Sequence, residues 1–498
     1  MRMNARNNTS AAALPHQLAS TAQPAQIFAR PVLWVGALLL FSTALLLGGL
    51  TAATIVLGAM IGALALVRPL TGLWMSVAFL VYATVFYIRW GLLASVEEMG
   101  YVGTAIGLAI IAVGLGLAWL RDAGRRLAIH KDAAVRRFDK AMYAMLGVSL
   151  IATVYGMARA NAWSNVARQL FGCLLLTGYY LFGRAFFRSA KDIHQWLRWA
   201  GVAVTAGAAW FTVKLTLLSL SEGAYTREQS PLSFFAGAIG ALLFVEFLWE
   251  EQRGKRIVMG VSLLFCVLAN LLMGARMATA SLAGTAIIVL ILRRRKHRLL
   301  IGLATLALTA LGAGLVLSYL PDLVGRGGLA GGIAARFSPL DPSQDSSYVG
   351  WRAEMDSILD IVRQHPVLGA GMGAEFTHYD PTIPDLYPTK TYVDNGWGYV
   401  LLKMGLTGLF VFVAMLWRFL RFAARDWPSD APAHMQRVRA CLLALLLFGL
   451  VSFIRGPTFF HFMTSGFMGT TLGALAALAD LANRTPSLLT GDSAHHFL

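Results

Sequence analysis

The stretch KTYVDNGWGYVLLKMGLTGL, residues 390–409, decides how this chain is read. A polar lead passes at Asp394 and Asn395 into an apolar run that starts near Trp397 and continues to about residue 418. Such a run is long enough to cross a bilayer, which takes about 20 residues of helix. Asp and Asn are residue types that cap helix N-termini, so Asp394 is expected to serve as the N-cap. The same pair allows a second reading, in which a carboxylate at the edge of a membrane helix faces a reacting ligand.

The pattern repeats outward from this stretch. Of 498 residues, 57% are hydrophobic and 13% are charged, against about 25% charged in a typical soluble domain. The charges cluster, and between the clusters lie apolar runs of spanning length. Fourteen candidate spans result, at roughly 32–48, 52–67, 70–88, 103–120, 141–158, 168–187, 196–219, 232–249, 257–273, 277–292, 299–320, 393–418, 438–454 and 458–481. The first two are short and weakly separated. The expected fold is all-α: a polytopic membrane helical bundle of about 12–14 transmembrane helices with one large loop containing short helices. A β-barrel is excluded, because its strands are short and alternate apolar with polar residues. The expected organisation is a tail at 1–30, a bundle at 31–320, a loop at 321–392, a continued bundle at 393–482 and a second tail at 483–498. Residues 1–30 lack the apolar core of a signal peptide. Cys173, Cys266 and Cys441 all fall inside apolar runs and form neither a disulfide framework nor a metal pattern.

Charge placement sets an orientation. The net charge is +17, from 42 basic and 25 acidic residues. In a soluble protein that excess would point to nucleic acid. Here basic cytoplasmic loops account for it, and no nucleic-acid partner is expected. The linker RDAGRRLAIHKDAAVRRFDK (121–140) carries seven Lys/Arg and is taken as cytoplasmic. Alternation then puts the basic segments 184–198, 250–256, 293–298 and 418–439 on the same side. It puts 94–100, 221–230 and 321–392 on the other, the last with five Lys/Arg against nine Asp/Glu. Both termini are expected in the cytoplasm.

A loop as long as 321–392 is usually functional. Within it GWRAEMDSILDIVRQ (350–364) has an amphipathic helical pattern, with Trp351, Met355, Ile358 and Val362 on one face. Such a helix can rest on the bundle or on headgroups. HPVLGAGMG (365–373) follows a helix rather than a strand, so it reads as a chain-reversing turn and not as a nucleotide cradle.

Three arginines run against the positive-inside tendency. Arg276 sits in the turn LLMGARMATASLAG, Arg455 in SFIRGPTFF, and Arg352 on the loop helix. At the outer face each needs water or a partner. Arg276 and Arg455 also precede expected helix N-termini, the latter opened by Pro457. Helix N-termini and guanidinium forks both bind phosphate, so the three together describe a pyrophosphate site. Arg159, Arg168 and Arg227 are weaker candidates on less constrained segments.

Three features in order, GARMATASLAG (274–284), the Arg-bearing loop helix with HPVLGAGMG, and DNGWGYVLLKMGLTGL, resemble the O-antigen ligase and Wzy-type polysaccharide polymerase superfamily of bacterial inner-membrane glycosyltransferases. The likeness covers mainly residues 257–420. It implies a GT-C-like helical fold with its active site facing the periplasm. It also implies a donor glycan linked through pyrophosphate to undecaprenol, and transfer with inversion to an acceptor hydroxyl on a glycan or on lipid A core. Arg276 and Arg352 would take the family's phosphate-binding roles. Ligases usually carry histidine where this chain has Asp394, and polymerase-like members often read Asp-Asn. The resemblance therefore favours a polymerase of O-antigen or exopolysaccharide repeat units, with a ligase as the alternative. It also allows a polysaccharide chain-length regulator as a partner beside membrane lipids.

Pyrophosphate is already a good leaving group, so the chemistry calls for charge neutralisation and a proton acceptor, with no cofactor or metal. Asp394, Glu375 and His378 are the candidate acceptors. His461 and His365 read more readily as structural histidines. A lipid-linked glycan transporter is the rival outside enzymes, but no internal repeat is evident and the spans hold few charges. A soluble binding module is excluded by composition, and a scaffold would not need arginines at the outer face.

Overall fold

The computed structural model describes residues 51–86, 94–126, 133–222, 231–273, 275–293, 346–377, 389–424 and 431–490. The expected spans 32–48 and 299–320, the tail 1–30, the first part of the large loop and His378 lie outside them.

The described chain is a polytopic helical bundle. Its helices are α1 (Thr51–Val67), α2 (Pro69–Phe86), α3 (Ala94–Arg126), α4 (Ala133–Ala158), α5 (Trp163–Phe186), α6 (Ala190–Glu222) and α7 (Leu232–Trp249). They continue with α8 (Arg253–Leu272), α9 (Arg276–Arg293), α10 (Ser346–Gln364), α11 (Gly396–Ala424), α12 (Ala433–Ser452) and α13 (Phe462–Thr490). The strands among the described residues are β1 (Phe376–Thr377) and β2 (Thr389–Lys390), an antiparallel pair. Eight described helices, α3, α4, α6, α7, α8, α11, α12 and α13, are long and apolar enough to cross a membrane. The apolar stretches of α1, α2 and α9 are shorter. Helix α5, also expected to span, carries Arg168 and Gln169 near its start and Arg184 near its end, which lowers its apolar content. The segment 94–100, expected as a loop, is helical and extends α3.

Burial explains the arrangement. Helix α7 is apolar nearly all round, with Glu246 its one charge, the pattern of a helix enclosed by others. The apolar window of α13 is buried over its whole length. It runs against α5, with Gly469 and Gly473 facing the Leu176 and Tyr180 carbonyls so closely that a Cβ at either would collide. Small residues of this kind let membrane helices approach by backbone contact. Around α7 stand α6, α8, α9 and α12, while α4 packs between α5 and α11. The peripheral helices keep apolar side chains exposed, among them Val113, Leu117, Trp210, Val258 and Phe410. Cys173, Cys266 and Cys441 are buried thiols.

The two ends of the bundle differ. At one end Asp139 at the start of α4 pairs with Arg184 at the close of α5 and accepts from the Tyr180 hydroxyl at 2.7 Å. At that same end Arg437 of α12 bridges Glu246 and, at 3.1 Å, Glu250, joining α12 to α7. The opposite end gathers the starts of α5, α7, α9, α11 and α13, and there the large loop returns.

Candidate functional site at the loop end of the bundle

The loop helix α10 settles on protein. Ile358 and Val362 are buried, and Met355 with Ile358 lies over Gly398 in the first turn of α11. Glu354 lies on the same face, one turn after Trp351, and is only 1% exposed. Its Oε1 accepts the Asp394 N–H at 2.6 Å. Burial, reinforced by the Asp394 carboxylate, pushes Glu354 up to about 7 against the opposing pull of that N–H and of Lys390.

Asn395, not Asp394, caps α11. Its Oδ1 accepts the N–H groups of Trp397 at 2.8 Å and Gly398 at 3.1 Å. The expectation that Asp394 would cap is thereby corrected by one residue. Asn395 is buried and turned to the helix end, while the Asp394 side chain is exposed. Its carboxylate takes no part in the cap.

HPVLGAGMG does more than reverse the chain. Helix α11 is broken at Gly405, whose φ is 64° and ψ is −161°. The groups released there are taken up by the Gly-rich segment. Ala370 N–H donates to the Leu402 carbonyl at 2.7 Å, and Leu406 N–H donates to Pro366 at 2.8 Å. On the other side Met372 N–H donates to Ala152 of α4 at 2.9 Å, and Asn161 Nδ2 donates to the Met372 carbonyl at 2.8 Å. Gly371 has φ 86° and lies so close to Gly156 that a Cβ would stand 2.6 Å from its Cα. Irregular backbone at such a place is tolerated because protein satisfies it. Fully buried Lys403 of α11 donates its Nζ to the Ala374 carbonyl and fastens the end of the wedge.

The first turns of α5 hold both edges of the loop. Gln169 accepts the Gly373 N–H at 2.7 Å and donates to the Thr391 carbonyl at 3.2 Å. Arg168 donates to Thr391 Oγ1 at 2.7 Å and to Asn165 Oδ1 at 3.2 Å. Asn165 in turn donates to Glu375 Oε1 at 2.9 Å.

These contacts border a cleft of about 1130 Å³. Its polar portion is formed by Arg168, Thr391, Tyr392, Asp394, Arg455 and His461. Its apolar portion is formed by Val102 and Ile106 of α3, Phe171 of α5, Phe234 of α7, Ala278 of α9 and Phe460. Gly172 of α5 abuts the Phe460 carbonyl so tightly that no side chain fits, which sets Arg168, one turn earlier, beside the 457–461 turn. His461 stands edge-on to Tyr392 at 5.9 Å. Burial, with the nearby Arg168 charge, pushes its imidazole down to about 4, so it is neutral at neutral pH. The cleft thus combines guanidinium groups, a carboxylate and a neutral imidazole with an adjoining apolar gallery, a shape suited to a ligand with an anionic head and an apolar tail.

The residues expected from sequence are distributed unevenly. Asp394 and Arg455 both line the cleft. Arg455 and Pro457 do not open the last helix directly, because a separate turn at 457–461 intervenes and α13 begins at Phe462. His461 accordingly precedes that helix instead of lying one turn inside it. Arg276 is the first residue of α9, between the cleft-lining Ala275 and Ala278. Arg352 is exposed on α10, two residues from Glu354 and so on the opposite side of the helix. Glu375 is exposed and bonded to Asn165. His365, read as structural, lies 3.3 Å from Arg159 Nη1. Arg168, ranked lower from sequence, lies in the cleft, and Glu354, Gln169 and Lys403 were not singled out. Glu354 had a legible signal, since it interrupts the apolar face of its helix. Gln169 and Lys403 had none, because their partners are more than twenty residues away in sequence.

Fold and cleft together describe a multi-pass helical membrane protein with a cleft at one end of its bundle lined by both charged and apolar side chains. A family model described as O-Antigen ligase matches residues 261–413, from α8 through the loop to the kinked α11. Members of the family are O-antigen ligases or polymerases, enzymes of glycosyl transfer. No curated protein matches the chain.

Proposed function

We propose that this protein is an inverting glycosyltransferase of the bacterial inner membrane that takes its glycan from an undecaprenyl-pyrophosphate donor at the periplasmic face. The observation that carries this reading is the cleft, in which Arg168, Arg455 and Asp394 meet an apolar gallery beside the family-matched domain. The pyrophosphate lies against Arg168 and Arg455 with the α9 N-terminus and Arg276 at its edge, and the polyprenyl chain leaves through the apolar portion. Arg352 meets the part of the donor that projects beyond the cleft.

The acceptor hydroxyl oxygen attacks the anomeric carbon. The bond from that carbon to the pyrophosphate oxygen breaks, and its electron pair leaves with undecaprenyl pyrophosphate. The hydroxyl proton passes to the Asp394 carboxylate. One displacement inverts the anomeric centre. The guanidinium groups neutralise charge that grows on the leaving group, so they act more strongly on the transition state than on the bound donor.

Asp394 at the position where ligases resemble one another in carrying histidine favours polymerisation of O-antigen or exopolysaccharide repeat units over transfer to lipid A core. The test is a deletion strain examined for surface polysaccharide. Single repeats in place of long chains are the expected result. Full-length chains stranded on the lipid carrier would establish a ligase instead, and an unchanged polysaccharide would refute both.

A further inference from the structure

The strip that carries Asp394 into α11 alternates in exposure. Tyr392 and Asp394 are exposed, while Val393 and Asn395 are buried. In an extended chain every second side chain falls on one face, and both exposed members line the cleft. The strip is held at both ends. Gln169 donates to the Thr391 carbonyl at 3.2 Å and Arg168 to the Thr391 hydroxyl at 2.7 Å, while Glu354 accepts the Asp394 N–H at 2.6 Å. Between these anchors the Tyr392 ring stands at 88° to His461, with ring centroids 5.9 Å apart. Its hydroxyl reaches the turn that holds Arg455, where a Cβ on Gly456 would lie 3.4 Å from it. Tyr392 is still 44% exposed, whereas the other described aromatic rings of the cleft are buried or half-buried.

A held aromatic ring that stays exposed beside a carboxylate is a surface for a sugar. The C–H groups on one face of a pyranose are apolar and pack on such a ring, while its hydroxyls bond to polar groups at the rim. The single displacement proposed above also says which sugar. Leaving group and incoming hydroxyl lie on opposite sides of the anomeric carbon, so the sugar carrying that carbon lies between the arginines and Asp394. Tyr392 occupies this interval. Thr391, bonded to Arg168, precedes it, Gly456 beside Arg455 meets its hydroxyl, and Asp394 shares its face. Resting on that reading, we infer that Tyr392 is a specificity-determining residue: the pyrophosphate-linked sugar of the donor stacks on it, and it selects a pyranose that presents a run of C–H groups on one ring face. A tyrosine that only anchors the loop at the bilayer surface would not depend on a sugar, and the two roles separate on that point.

The probes are the lipid-linked glycan fraction extracted from cells lacking this protein and the oligosaccharide released from it by mild acid. The oligosaccharide has lost its pyrophosphate and, with no donor present, is not turned over, so its binding reports the sugar site alone. Saturation-transfer NMR on the protein in nanodiscs should show C–H protons of its reducing-end sugar against the parent and against Tyr392→Phe. Those contacts should be lost in Tyr392→Ala and Tyr392→Leu. In steady-state transfer from the intact fraction, Tyr392→Ala should raise KM about three- to tenfold with kcat changed less, and Tyr392→Phe should stay near the parent. Leu keeps apolar bulk without a flat ring, so it decides the matter should the Ala protein fail to accumulate. Contacts absent from the parent, or parent-like contacts and KM in Tyr392→Leu, with transfer by the parent intact, would leave Tyr392 an interfacial anchor and overturn this inference alone. A parent that transfers no glycan overturns the glycosyltransferase reading and this inference with it.

Discussion

Replacing Asp394 by Asn and, separately, Asn395 by Ala should split one dipeptide into two functions. Asn395→Ala deletes the oxygen that accepts from Trp397 and Gly398 at 2.8 and 3.1 Å. Loss of an N-cap costs about 0.5–2 kcal/mol. The upper part of that range applies here, because the Gly398 N–H is buried and the Trp397 N–H half-buried. Asp394→Asn leaves the cap intact and also leaves the bond to Glu354, since that bond uses the Asp394 main chain. It removes one exposed carboxylate. Stability should therefore be unchanged while transfer falls about 10²- to 10⁴-fold, the usual contribution of a general base. Two measurements decide the matter on the same detergent-solubilised samples: monodispersity after a heating series, and glycan transfer from the lipid-linked donor. Asn395→Ala should lose monodispersity at a lower temperature and retain transfer in proportion to folded protein. Asp394→Asn should superimpose on the parent in the first assay and fail in the second. If Asp394→Asn instead lowers thermal stability and loses activity only in proportion, Asp394 is a structural residue and the division drawn from the capping geometry is wrong.

Two further outcomes follow from contacts at opposite ends of the bundle. Arg168→Ala removes a cleft guanidinium and its bond to Thr391, so the donor KM should rise by about tenfold or more with kcat also reduced, whereas Arg352→Ala, outside the cleft, should change KM less; the reverse order in steady-state kinetics would move the phosphate site to α10. At the other end Glu246→Ala removes one of the two carboxylates that hold Arg437, leaving Glu250 at 3.1 Å, and should cost about 1.5–3 kcal/mol, seen as reduced protein in the membrane, while on the loop helix α10 Asp360→Ala breaks the exposed pair with Arg363 and should cost well under 1 kcal/mol.

The sequence alone determined the helical membrane class, because the length of an apolar run and the exclusion of unpaired backbone from lipid leave few options. It also determined the amphipathic loop helix over 350–364, since a 3.6-residue period needs no partner to be visible, and it singled out Asp394 and Arg455 by residue type and place. Tertiary structure decided the rest. A cap is a matter of which oxygen reaches which N–H, and that choice fell to Asn395 once Glu354 had taken hold of the Asp394 backbone. The GAGMG wedge gained its role only from the break at Gly405, thirty-two residues after Gly373. Arg168 entered the cleft because Gly172 lets α5 press against Phe460 almost three hundred residues away. Periodicity and charge act within a few turns of chain and can be read along it. A site assembled from helix ends depends on which helices touch, and that is set by close packing between segments the chain order does not bring together.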